Sequence, residues 1–211
     1  MPISDDREYR DINLAEIETR EADDGTMVVE GYATTFNQPY LLYTDDKYDI
    51  YEEVTDHAFD DTDMRDVIMQ YNHEGRVFAR NKNGTLTLTP DEHGLKITAD
   101  LSGTDIGRQL YQEIKGGYTD KMSFGFVVDR SKDTRTETPI DNGRVRIKRS
   151  INAIKKLYDV SAVSIPANDA TAISARNVSN GLIGEIEQEL LAIKARERKK
   201  KQILLMMEMS K

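Results

Sequence analysis

Hydrolysis of an acyl bond by a serine needs a base within hydrogen-bond reach of the hydroxyl and a third group that orients the base. Ser123 stands in "DKMSFGFVV" (120–128), a strand-like stretch. Met122, Phe124, Phe126 and Val128 fall on one face by the two-residue period, leaving Ser123, Gly125 and Val127 on the other. A serine beside a glycine on the second face of so regular a strand implies that this face is either closely covered by another backbone or open to a cleft. The stretch lacks the G-x-S-x-G elbow, which excludes an α/β-hydrolase site. Taken alone, a serine in a strand is usually just tolerated there.

The chain holds three histidines that could serve as base. His93 lies in the turn "DEHG", where a solvated surface histidine is expected, and His57 lies in the polar "TDHAF" with no strand to hold it. His73, in "MQYNHEG", ends an apolar run and begins a loop, where scaffolds commonly present functional side chains. Its ordinary alternative is a strand-end histidine bonded to a nearby carbonyl. Asp159, in "KKLYDVSAVSIPAN", is an acid among strand formers; acids are costly to bury unpaired, so it calls for a partner. Lys155, Lys156 or an edge position would satisfy it without any catalytic role. The chain contains no cysteine, which excludes a thiol nucleophile, a thiolate zinc site and disulfides. The histidines are 16 and 20 residues apart and form no HExxH, so no catalytic metal and no cofactor are expected.

The elements that must position these residues read as strand-heavy α+β. "TMVVEGYATTF" (26–36) is a firm strand after two dozen charged residues without periodicity. A polar Tyr/Asp-rich segment runs to about residue 52, and "VTDHAFDDTDMRDV" (54–67) suits a short helix with acids near its start. "VIMQYN" (67–72) is a short apolar strand, and "TLTLTPDEHGLKITADL" (85–101) has the alternation and turn residues of a hairpin. "GTDIGRQLYQEIKGG" (103–117) is a helix with Thr104 placed as its cap and Gly116-Gly117 as its stop. The Ser123 strand follows, then a polar loop (129–143) and the strands "RVRIKR" and "AIKKLYDVSAVSIP". From Gly181 the chain turns helical, with Ile183, Ile186, Leu190 and Ile193 on one stripe; "ARNVSNG" before it reads as a linker. This gives an N-terminal segment (1–25), a mixed domain (26–176) and a linker with helical tail (177–211).

With a net charge of −9, the chain concentrates its acidity in the body; residues 181–211 carry seven Lys/Arg against five Asp/Glu. An acidic body repels phosphate backbones, so no nucleic-acid partner is expected. The start lacks the basic and apolar regions of a signal peptide, and the longest apolar run, "ILLMM", is far too short to span a membrane. The sequence therefore reads as a soluble chain that is not exported.

Several segments, in order, resemble the prohead proteases of tailed bacteriophages, serine peptidases distantly related to the herpesvirus assemblins. "VEGYATTFN" is similar to that family's opening strand, "EEVTDHAFDDT" to its segment ending in Gly-Ala-Phe, and "MQYNHE" to its histidine motif. "DEHGLKITADL" resembles the Gly-Leu strand, "GGYTDKMSFGFVV" the serine motif, and "LYDVSAVSIPANDATA" the closing motif. The resemblance spans about residues 27–176.

The resemblance implies His73 as base and Ser123 as nucleophile. It places Asp159 at a third position where the family often has glutamate, with Asp100 as the substitute. His57 falls where the family favours glycine, which argues against it as base. The implied fold is an assemblin-like β-barrel flanked by helices. The implied activity is endopeptidase cleavage of the major capsid protein and the scaffolding protein, and of the chain itself, inside the immature prohead in the host cytoplasm. A homo-oligomer is left open. Backbone N–H groups near Pro166-Ala167-Asn168 are the expected oxyanion donors, Gly125 is expected to admit a substrate backbone, and the tail is expected either to recruit the protease to the shell or simply to pack. The rival readings are a non-catalytic capsid-assembly factor that keeps the fold and an unrelated soluble hydrolase of the host.

Overall fold

The computed structural model describes residues 7–12, 17–163 and 178–200, apart from 190, 194 and 197. The chain divides by contact into two units, 1–175 and 176–211. In the first unit the strands run in order β1 (Arg7–Ile12), β2 (Glu18–Glu21), β3 (Met27–Thr35), β4 (Tyr40–Thr44), β5 (Tyr48–Val54), β6 (Ile68–Tyr71) and β7 (Glu74–Arg80). They continue with β8 (Leu86–Pro90), β9 (Gly94–Asp100), helix α1 (Asp105–Lys115), β10 (Lys121–Val128), β11 (Thr134–Pro139), β12 (Val145–Ile151) and β13 (Ile154–Val163). In the second unit residues 178–189 are helical, as are 191–193, 195–196 and 198–200, so helix begins inside the stretch read as a linker.

Three sheets result, ordered β1-β10-β13-β6-β7, β11-β12-β5-β4 and β2-β3-β9-β8. Among the described residues none of them closes on itself, so the barrel implied by the family resemblance is not formed. Among the described residues the end strands of the three sheets are β1 and β7, β11 and β4, and β2 and β8. What the sequence foresaw is the strand-dominated α+β class.

The apolar face of β10 behaves as its alternation requires. Met122, Phe124 and Phe126 are fully buried and Val128 nearly so, with the two phenyl rings stacked at 4.4 Å. They join Val29 of β3, Met69 of β6, Ile97 and Ala99 of β9, and Val160 and Ala162 of β13 in one core. Helix α1 adds Leu110, Tyr111 and Ile114, a stripe at helical spacing, and is capped by Thr104, whose Oγ1 accepts from the Gly107 N–H at 3.0 Å.

Four expectations are corrected. Residues 55–62 form successive turns instead of a helix, with Ala58, Asp60 and Thr62 N–H groups each bonded three residues back. Asp side chains that favour such turns compete with helix formation. The polar segment before residue 52 contains β4 and most of β5, and the polar loop at 129–143 contains β11. The charged N-terminal segment contains β1 and β2.

Candidate active site

Three distant strands bring Ser123, His73 and Asp159 together. β10 pairs antiparallel with β13, setting Ser123 opposite Ser161 and Gly125 opposite Asp159. β13 in turn pairs parallel with β6, whose hairpin to β7 carries His73. Ser123 Oγ lies 2.6 Å from His73 Nε2, and His73 Nδ1 lies 2.8 Å and 3.1 Å from the two Asp159 oxygens. An Nδ1–H donated to Asp159 leaves Nε2 of a neutral imidazole as an acceptor facing the serine. Ser123 and Asp159 are fully buried, and the His73 side chain is 4% exposed.

Local backbone chemistry sets these side chains. Tyr71 pairs with Glu74, so β6 and β7 are joined by the two residues Asn72 and His73 alone. Both have positive φ, 51° and 59°, as a two-residue turn matching the strand twist requires. Glycine is the usual second residue of such a turn. Histidine there is held by the His73 N–H donating to Ser161 Oγ at 3.2 Å and by the Asn72 N–H donating to the Ala162 carbonyl at 3.0 Å. Non-glycine residues held in the left-handed region concentrate at functional sites. Near the acid, the β10–β13 register shifts between Gly125 and Phe126, leaving Tyr158 as an extra residue next to Asp159. Such a bulge re-aims neighbouring side chains.

Gly125 has a different role from the one expected of it. A Cβ at this position would sit 2.6 Å from Asp159 Oδ2 and 2.9 Å from the Tyr9 ring. The missing side chain thus makes room for the carboxylate and for Tyr9, and no open space is left there for a substrate backbone.

Three neighbours escaped the sequence reading. The Arg7 guanidinium donates to Asp159 Oδ2 at 2.9 Å and lies over the Tyr158 ring at 4.5 Å. Tyr9 meets the His73 ring edge-on at 4.6 Å. Burial raises the Tyr9 phenol, with the nearby Arg7 charge opposing and Asp159 adding to the rise. Ser161 Oγ touches both the backbone N–H and Nδ1 of His73. Arg7 and Tyr9 could have been found only by recognising a strand in "REYRDI", whose charges hide it.

The other candidates lie apart. His57 is 79% exposed beside Asp56 and Asp60, and His93 sits in the β8–β9 turn with its ring against Tyr32. Asp100, the alternative third member, ends β9 and accepts from the N–H and hydroxyl of Ser102. Pro166-Ala167-Asn168 lies outside the described residues. Tyr71 and Glu74, which flank the His73 turn, also line a groove of about 350 Å³ that Ile106, Leu110 and Glu113 of α1 border.

A model of the family described as caudovirus prohead serine protease matches residues 15–183. Among solved structures, the capsid assembly protease of bacteriophage T4 is similar at 12% identity and a TM-score of 0.38, covering 77% of this chain and all of that one. No curated protein matches the chain.

Proposed function

The chain belongs to the caudovirus prohead serine protease family, and from that membership we propose that it is a capsid-maturation endopeptidase in which Ser123 is the nucleophile, His73 the base and Asp159 the acid that orients it. The observation that carries this reading is the contact of Ser123 Oγ with His73 Nε2 at 2.6 Å while Nδ1 is held by Asp159. His73 takes the Ser123 proton as Oγ attacks a peptide carbonyl, and Asp159 stabilises the imidazolium so formed. The tetrahedral intermediate collapses to an acyl-enzyme as His73 returns the proton to the leaving amine. Water then repeats the sequence to release the acid. Asp159 meets its partner with a carboxylate one methylene shorter than the glutamate frequent in the family, and the bulge at Tyr158 is consistent with that shorter reach.

The substrates are the major capsid protein and the scaffolding protein, cleaved inside the immature prohead in the host cytoplasm, with self-cleavage as part of maturation. The body cleaves, and residues 177–211 recruit it to the shell. To test the site, the purified chain is incubated to end point with a fluorophosphonate, digested and analysed by mass spectrometry. One adduct, on Ser123, is expected, and His73→Ala should lose it. No adduct on Ser123 would favour a non-catalytic assembly factor with the same fold.

A further inference from the structure

We propose that β1 is an autoinhibitory strap: the chain's own N-terminal strand lies along the nucleophile strand in the place of an extended substrate, and its Arg10 carbonyl caps Ser123. The inference rests on the reading of Ser123 as nucleophile. β1 is an edge strand whose sheet partner is β10, and the pairing runs antiparallel from Arg7 opposite Val127 to Ile12 opposite Met122. Ser123 Oγ donates to the Arg10 carbonyl oxygen at 2.8 Å, and Ser123 is wholly buried.

Attack requires a substrate carbonyl within about 3–3.5 Å of Oγ. A buried oxygen already in contact with the Arg10 carbonyl and with His73 Nε2 leaves no room for one. The same contact also misdirects chemistry. A serine hydroxyl has one proton, and while that proton points to the Arg10 carbonyl it is not aimed at His73 Nε2, so the base cannot remove it. Moving β1 aside would free the nucleophile and turn its proton toward the base in one step.

The strap is anchored by side chains of alternate direction. Arg7 reaches Asp159 on the triad face, while Arg10 is buried on the opposite face. There Arg10 donates to Glu52 at 2.5 Å and 3.0 Å, and Glu8 accepts from Arg149 at 3.0 Å. Because β1 is at the sheet edge, its departure breaks no interior strand pairing. It would leave the main-chain groups of β10 free to bind an extended polypeptide by strand addition, which is the form in which a peptide would reach Ser123.

The test is the rate at which a fluorophosphonate modifies Ser123 in the full chain and in a chain beginning at residue 13. The shortened chain should react at least tenfold faster, and a synthetic peptide of residues 1–12 added in trans should restore the slow rate. Arg10→Ala in the full chain, with its anchor removed, should also react faster. If the shortened chain does not fold by circular dichroism, the full chain in urea below its unfolding transition carries the same test, with labelling accelerating as β1 detaches. Equal or slower labelling in each comparison overturns the strap and instead makes Arg7 and Tyr9 aids to the triad. Labelling that persists in Ser123→Ala would overturn the nucleophile assignment itself, whatever β1 does.

Discussion

At the residue scale, the site depends on one carboxylate held between an imidazole and a guanidinium, and on a glycine that makes space for it. Asp159 accepts from His73 and from Arg7 while filling the position a Gly125 side chain would take. Asp159→Asn is expected to lower kcat by about 10⁴-fold with little change in KM, because the amide favours the wrong imidazole tautomer. Steady-state kinetics on a cleavable peptide would check it. Gly125→Ala should displace the carboxylate and cost about 10²-fold in kcat, since small misplacements of catalytic groups are expensive; equal rates would mean that the carboxylate adapts. Ser123, His73 and Asp159 were legible because each interrupts a local pattern: a hydroxyl in a strand, a histidine at a strand end, an acid among β-branched residues. Their association was legible only through resemblance, since nothing in the spacing joins residues fifty positions apart. Arg7 and Tyr9 stayed hidden in "REYRDI", where Glu8 and Arg10 look solvated yet are buried against each other's charges.

At the element scale, the two-residue turn at Asn72-His73 aims the His73 ring at Ser123 and stores strain in doing so. Asn72→Val should destabilise the fold by about 1–2 kcal/mol, the cost of forcing such a residue into the left-handed region. Because the same turn aims His73, labelling of Ser123 should slow as well. Denaturant titration alongside labelling kinetics would separate the two effects, and an unchanged labelling rate would show that the turn does not set the histidine. Elements with one buried apolar face (β3, β9, β10 and α1) were readable from periodicity alone. β4 and β11 were missed because they are edge strands with largely exposed faces, so their sequences never needed to alternate. The expected helix at 54–67 gave way to turns closed by the Thr55, His57 and Phe59 carbonyls, in a segment whose many aspartates are weak helix formers.

At the scale of the whole molecule, a buried ion network ties the N-terminal strand of one sheet to a second sheet. Glu52 accepts from Arg10, Arg149 and Tyr40, and Arg149 also donates to Asp133 at 2.6 Å. Burial alone would push the Glu52 carboxyl up, but the two guanidinium groups outweigh it and bring it from the usual 4.5 down to about 2. A depressed folded value means that this stability is present above about pH 4.5 and is lost as pH falls toward about 2. Asp133 has the opposite sign: burial raises it more than Arg149 lowers it, so it takes up a proton more readily when folded and offsets part of the loss. Glu52→Gln should therefore cost about 3–5 kcal/mol near neutrality, with the difference from wild type shrinking in acid. Melting temperatures measured from pH 7 to 3 would show it, and a gap that stays constant with pH would contradict it. The tail adds a separate prediction: chains lacking residues 181–211 should be packaged poorly, and normal packaging would remove the recruiting role. The most direct test of the central claim is co-expression with the cognate capsid and scaffolding proteins, followed by intact-mass measurement of both. Wild type should convert them to shorter forms and Ser123→Ala should leave them whole; unprocessed proteins in both samples, or processing in both, would contradict the account.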